Sequence, residues 1–243
     1  MLNLHNIGIS RGGHSVINGL SVKANRGDVI ALIGSNGAGK TTLLQIISGI
    51  LKSDSGYISF NGKKVALTSI DWRFRLSYIL DDGGIIPLLT VEEQLYLQCS
   101  LIGISHEESS KRTKYIMDLL ELGKYRDHRG NELSAGLSKR LGIGIGIVRN
   151  AEVFLFDEPF NALDVQTMNI LGKILMILKK RGRIVIVASH SFPFPGNLYN
   201  HVWNLSKGVI KDYSDDFEIS NLLDHSFKSG SGDSKEVDIP WIL

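Results

Sequence analysis

Cysteine is nearly absent from this chain: Cys99 is the only one in 243 residues. An intrachain disulfide is therefore excluded, and the composition suits a reducing compartment. Cys99 itself falls in an apolar-periodic segment and reads as a core residue. Long apolar runs are missing too, and none approaches the roughly 20 residues that cross a bilayer. The opening Met1-Leu2-Asn3-Leu4-His5-Asn6 lacks the basic start and apolar core of a secretion signal, so none is expected. A formal net charge of only +2 offers none of the concentrated basic surface that nucleic acid requires. The seven histidines and single cysteine show no metal-ligand spacing, so a structural metal is not expected either. What remains, 43% hydrophobic and 21% charged residues, is ordinary for a soluble globular protein. The length allows one large α/β domain or two small ones.

The most informative stretch is Gly34-Ser35-Asn36-Gly37-Ala38-Gly39-Lys40-Thr41-Thr42. It follows the apolar run Val29-Ile30-Ala31-Leu32-Ile33, which has the character of a buried strand. An apolar-periodic segment over residues 43–50 follows and reads as a helix. Strand, glycine-rich loop, Lys-Thr and helix form the context in which this pattern becomes a phosphate site. Gly34, Gly37 and Gly39 have no Cβ, so the backbone can turn tightly and aim N–H groups at phosphate oxygens. The positive end of the helix dipole adds to that field. Lys40 can reach the β- and γ-phosphates and the Thr41 hydroxyl can ligate Mg²⁺. A chance glycine-rich turn containing Lys-Thr is the bland alternative, and the flanking elements set it aside. The chain is expected to bind a nucleoside triphosphate.

Other strands are expected over residues 2–10, 15–24, 75–80, 153–156 and 184–188, with a hairpin over 56–65 about Asn61-Gly62. A last hairpin spans 202–210 about Lys207-Gly208. Apolar spacing turns helical over residues 91–122, where Thr90 before Val91-Glu92-Glu93 supplies a capping hydroxyl and first-turn carboxylates. A further helix is expected over 165–180. Residues 141–148, Leu-Gly-Ile-Gly-Ile-Gly-Ile-Val, alternate with period two. Three glycines oppose a helix there by roughly 1 kcal/mol each, so these residues alone indicate a strand. From residue 214 on, with Ser229-Gly230-Ser231-Gly232, the chain reads as loosely ordered.

Two further positions carry chemistry. Asp157 ends an apolar strand, where a carboxylate can hold Mg²⁺, and Glu158 follows it, placed to orient or deprotonate an attacking water. An acidic pair at a strand end is usually just solvated; behind a phosphate loop it is a candidate site. His190 ends the next strand, on the edge where parallel strands deliver ligand-facing residues.

Together these residues resemble the ATP-binding subunits of ABC transporters, over about residues 2–213. Residues 34–42 are similar to the Walker A loop, 153–157 to the Walker B strand and Glu158 to the catalytic glutamate. Asn161-Ala162-Leu163-Asp164 resembles the D-loop, His190 the switch histidine and Leu133-Ser134-Ala135-Gly136-Leu137 the signature. The resemblance implies an α/β fold: a P-loop NTPase core over 1–82 and 150–213 with an antiparallel β subdomain. A helical subdomain over 83–149 is inserted in it, and 214–243 is left as tail. It makes residues 134–149 a helix, against the strand indicated by 141–148. It implies ATP and Mg²⁺, hydrolysis by Glu158 and His190, and two subunits, identical in the simplest case, around two ATP molecules. Ser134 and Gly136 would then meet the γ-phosphate held by the partner. It also implies a separate membrane permease, with the chain peripheral on the cytoplasmic face. The apolar stretch 84–89 is a candidate to help line the docking groove. The Ser-Ala-Gly signature and Asp157-Glu158-Pro159-Phe160 look like exporter types.

Three positions depart from the pattern. Ala135 and Leu137 replace a glycine and a glutamine of the signature. Arg11 stands where an aromatic usually stacks on adenine, and His14 is the other candidate for the base. Asp81 stands at the Q-loop glutamine, so a carboxylate there is expected to ligate Mg²⁺. A soluble translation or repair ATPase would need a second cassette or a long coiled coil, and neither is present in these 243 residues. The presence of Lys40, Asp157, Glu158 and His190 together argues against a non-catalytic nucleotide-binding module.

Overall fold

Apolar runs and turn residues lay down two sheets in the computed structural model, which describes residues 1–194, 196–223 and 237–242. Strands β1 (Leu2–Arg11) and β2 (His14–Ala24) form a hairpin, and β3 (Val29–Ile33) feeds helix α1 (Lys40–Ser48). The Asn61-Gly62 turn joins β4 (Ser55–Phe60) to the short β5 (Lys63–Lys64). Helix α2 (Ile70–Arg75), not foreseen from the sequence, leads into β6 (Leu76–Ile79). Three helices follow: α3 (Val91–Leu101), α4 (His106–Leu119) and α5 (Ala135–Ile147). Then come β7 (Val153–Asp157), α6 (Val165–Lys180) and β8 (Ile184–Ala188). The hairpin of β9 (His201–Ser206) and β10 (Val209–Tyr213) precedes α7 (Asp216–Leu223).

The smaller sheet is antiparallel in the order β2-β1-β4-β5; the larger runs β10-β9-β3-β8-β7-β6 and is parallel from β9 to β6. Its central strands are apolar throughout because both faces are covered. Ile30, Leu32, Val153, Leu155, Ile184 and Ile186 pack with α1 and the antiparallel sheet. Val29, Ala31, Phe154, Phe156, Val185 and Val187 pack with α6 and the three-helix segment. Parallel pairing aligns the carboxyl ends of β3, β7 and β8, and that edge gathers residues from three distant stretches of chain.

The capping hydroxyl expected at Thr90 is present and is half of a capping box: it accepts from Glu93 N at 3.2 Å, and Glu93 Oε2 accepts from Thr90 N at 2.8 Å. The helical spacing expected over 91–122 is laid out as two helices, α3 and α4. Gly103, at φ +76°, turns the chain, and Ser105 caps the second by accepting from Glu108 N.

Residues 141–148 correct the strand indicated by period two, because α5 is a helix through Ile147. The alternation is real but serves another purpose. A Cβ on Gly142 would lie 2.5 Å from Gly83 Cα, one on Gly144 2.7 Å from the Ile116 side chain, and one on Gly146 2.4 Å from Ile79. Each glycine thus lets a neighbouring element press against the helix backbone. Close packing outweighs the propensity cost.

The carboxyl end corrects the expectation of a loose tail. Among the described residues, α7 buries Ile219 and Leu223, and Ile239, Trp241 and Ile242 are buried in the larger core. Trp241 Nε1 donates to Ile147 O at 3.0 Å, satisfying a carbonyl in the last turn of α5. Its ring takes the Tyr115 edge at 5.4 Å between centroids and the Arg112 guanidinium at 5.1 Å. The Gly/Ser run over 229–232 lies outside the described residues.

Candidate functional site

The phosphate loop turns between β3 and α1 under tight constraint. A Cβ on Gly34 would meet Leu205 O at 2.5 Å, and Gly39 sits at φ +105° as the residue before α1. No side chain caps α1 and no acid lies in its first turn, so its amino end presents N–H groups and positive potential together. Lys40 is buried to 8% exposure. Its ammonium donates to Gly34 O at 2.9 Å and Ser35 O at 3.4 Å, and lies 4.0 Å from Glu158 Oε1.

Asp157 is 3% exposed at the end of β7. Thr41 Oγ1 donates to its Oδ1 at 3.1 Å, and the Tyr78 hydroxyl donates to its Oδ2 at 3.0 Å. Burial pushes the Asp157 carboxyl above its ordinary range, with the Tyr78 and Thr41 hydrogen bonds pulling the other way. Burial also pushes the Tyr78 phenol up, so it stays a donor. A buried carboxylate beside a hydroxyl, at the mouth of a phosphate cradle, is a hard-oxygen pair that fits Mg²⁺ completed by phosphate oxygens.

Glu158 stands beyond the strand at φ +45°, left-handed for a residue with a side chain. Its N–H donates to Ala188 O at 2.8 Å, tying it to β8. Glu158 Oε2 accepts from Ser189 Oγ at 3.0 Å and lies 2.9 Å from His190 Nδ1. With Nδ1 as donor, the neutral imidazole keeps Nε2 as an acceptor. Two strands thus fix one carboxylate beside Lys40 and Asp157.

Ser134 is the residue before α5, its hydroxyl accepting from Leu137 N at 3.3 Å. A Cβ on Gly136 would meet Ala162 O at 2.9 Å, so α5 presses on the Asn161-Ala162-Leu163-Asp164 turn. Ser134, Gly136, Arg140 and Asp164 line a cavity of about 690 Å³ that no phosphate-loop residue lines. Among the described residues, that cavity takes in the Ser134/Gly136 pair and none of residues 34–42. Asp81 directs Oδ1 to Lys139 Nζ at 2.9 Å, with its side chain 59% exposed. Arg11 and His14 are paired at the turn end of the β1–β2 hairpin and both are exposed. From there β2 carries Val16 over Gly39.

The sequence model of the ABC transporter family matches residues 17–161, from the hairpin over the phosphate loop through Glu158. The chain belongs to the ABC transporter family. It is an ATP-hydrolysing subunit of such a transporter. It is 31% identical to the histidine/lysine/arginine/ornithine transport ATP-binding protein HisP of Escherichia coli, over 83% of this chain and 84% of that protein. An uncharacterized ABC transporter ATP-binding protein of Methanocaldococcus jannaschii is 27% identical over 95% of this chain and 83% of its own length. The solved structure of an ABC transporter ATP-binding subunit superimposes with a TM-score of 0.83 at 23% identity, over 90% of this chain and 94% of the other. A dimeric ATP-binding cassette in a post-hydrolysis state bound to ADP and Pi gives 0.78 at 23% identity, over 88% and 98%.

Three residues at this ABC subunit's site lie outside the sequence expectations: Ser189, Tyr78 and Lys139. Ser189 adjoins His190 and is fully buried, so a polar residue at the end of an apolar strand was an available signal. Tyr78 and Lys139 gave none, because strand pairing and helix packing bring them to Asp157 and Glu158 from far along the chain.

Proposed function

We propose that two copies of this chain enclose two ATP molecules, each between the phosphate loop of one copy and the Ser134/Gly136 pair of the other. Hydrolysis then drives a separate membrane permease, with the subunit peripheral on the cytoplasmic face. The observation that carries this reading is the separation just described: Lys40, Asp157 and Glu158 cluster at one edge of the sheet, and Ser134 and Gly136 open on a different cavity.

In this scheme the N–H groups of residues 34–41 and the Lys40 ammonium hold the phosphates, and Thr42 extends the first turn of α1. Arg11 or His14 stacks on the base. Thr41 and Asp157 would hold Mg²⁺, which when bound offsets phosphate charge. Glu158 orients the attacking water and takes its proton while the water oxygen displaces ADP from the γ-phosphorus. Ser189 and His190 keep that carboxylate in one orientation. The net charge of +2 supports protein partners rather than nucleic acid. The exporter reading rests on the Ser134-Ala135-Gly136 signature and the Glu158-Pro159-Phe160 turn.

Substitutions separate these roles. Lys40→Ala abolishes tight ATP binding, while Glu158→Gln keeps binding and stalls turnover; near-normal turnover in the glutamine variant removes Glu158 from the chemistry. Ser134→Arg inactivates the dimer without weakening ATP binding to the isolated subunit. Mixed with Lys40→Ala it regains activity, since one of the two composite sites is intact. No rescue, with mixed dimers detected by cross-linking, defeats the composite site.

A further inference from the structure

We propose that Lys139 is a positioning residue that ties the Asp81 loop and α5 to the backbone of Glu158 and so fixes the carboxylate that handles the attacking water. The inference rests on that role for Glu158. Lys139 is 3% exposed, and a buried ammonium is tolerated only where acceptors replace water. It has two: Asp81 Oδ1 and Glu158 O, each at 2.9 Å. One charged group therefore spans the loop after β6, helix α5, and the turn after Asp157.

The acceptor on the Glu158 side is an unusual one. Glu158 holds a left-handed backbone, and such a conformation persists only where its surroundings over-determine it. Its N–H is fixed by Ala188 O at 2.8 Å, while within its own turn the carbonyl receives only the 3.4 Å bond from Asn161 N. The Lys139 ammonium is the shorter and the charged bond to that carbonyl. Removing it frees the peptide to rotate, and the side chain with it.

The Asp81 side explains the acid at this position. Asp81 gives the ammonium a counter-charge, and Gly83 lies directly against Gly142 of the same helix, so loop and helix move as a unit. A shift of α5 or of the Asp81 loop thus reaches Glu158 through one side chain. In this proposal Asp81 has the ion pair in place of the metal-ligating role expected of it.

The test measures kcat, the KM for ATP and the free-Mg²⁺ dependence of ATPase activity. The proteins are the full chain, Lys139→Met, Asp81→Asn, the double variant and Lys139→Arg. A misplacement near 1 Å at a reacting group costs on the order of 100-fold. Lys139→Met is therefore expected to lower kcat at least about tenfold with KM within about twofold of the parent. Asp81→Asn is expected to lower kcat less, with an unchanged Mg²⁺ curve. The double variant is expected to be no slower than Lys139→Met, because both changes break one link. Lys139→Arg, which keeps charge and donors, restores part of the loss.

Parental kcat in Lys139→Met, or losses that multiply in the double variant, overturns the proposal. So does a shifted Mg²⁺ curve confined to Asp81→Asn, which returns Asp81 to the metal. Should Lys139→Met not fold, Asp81→Asn with parental kcat is the refuting result. Glu158→Gln runs alongside: full turnover there defeats the role of Glu158 itself, whatever the Lys139 series gives.

Discussion

Replacing Trp241 with alanine tests whether the carboxyl end is structure or ornament. The side chain is 9% exposed and sits against α4 and the end of α5. Truncating a buried tryptophan costs about 3–5 kcal/mol in cores that cannot collapse. That range already contains the lost hydrogen bond to Ile147 O, about 1 kcal/mol, and the Arg112 cation–π contact, about 0.5–1 kcal/mol. The segment lies at the chain end and can peel away, which caps the loss at its own docking free energy. About 2–4 kcal/mol is therefore expected. For a chain of this size each kcal/mol moves the melting temperature by about 2–4 °C, so Trp241→Ala should melt on the order of 5–15 °C lower. Trp241→Phe keeps the edge contact with Tyr115 and should lose roughly a third as much. Thermal unfolding followed by near-UV circular dichroism reads both. A shift below about 2 °C for Trp241→Ala means that the contacts with Arg112, Tyr115 and Ile147 hold nothing in solution, and the docked end is then wrong. Removing residues 229–243 should cost at least as much, because it also takes out buried Ile239 and Ile242.

Two further perturbations bear on the site. Asp164 caps α6 by accepting from Thr167 N at 2.8 Å; burial raises its pKa, but the hydrogen bonds from Thr167 and the Arg140 guanidinium outweigh that and leave it below the ordinary value. A depressed carboxyl stabilises fully above the ordinary carboxylate range and less as pH falls through it. Asp164→Ala should therefore cost about 1 kcal/mol near neutral pH as a lost cap, with the gap in melting temperature closing on acidification; a gap constant with pH refutes the charged cap. Tyr78→Phe removes the donor to Asp157 Oδ2 and leaves that carboxylate oriented by Thr41 alone. Outer partners of metal ligands are typically worth about 10–100-fold in affinity, so half-maximal ATPase activity should need about tenfold more free Mg²⁺. An unmoved Mg²⁺ curve with normal kcat would falsify this role for Tyr78.

What the sequence determined by itself was whatever depends on near neighbours. The phosphate loop is legible because its function resides in consecutive backbone N–H groups, so the glycines, Lys40 and the following helix must be contiguous. The central strands are legible because a sheet covered on both faces makes them apolar without interruption, and the α3 start is legible because Thr90 and Glu93 close a box across four residues. Asp157, Glu158 and His190 are legible because each lies at or just beyond the end of such a strand. Tertiary structure alone decided the rest. The glycines of residues 141–148 gave a period that a strand would also give, and only Gly83, Ile116 and Ile79 pressing on the backbone explain why it is a helix. The resemblance to a known family supplied that helix where the residues alone did not. Lys139 finding both Asp81 and Glu158, Tyr78 finding Asp157 and Trp241 finding Ile147 join positions separated by up to 94 residues. No local pattern specifies those meetings. They follow from which strand pairs with which and how closely a glycine-faced helix can approach, and these are settled only when the whole core closes.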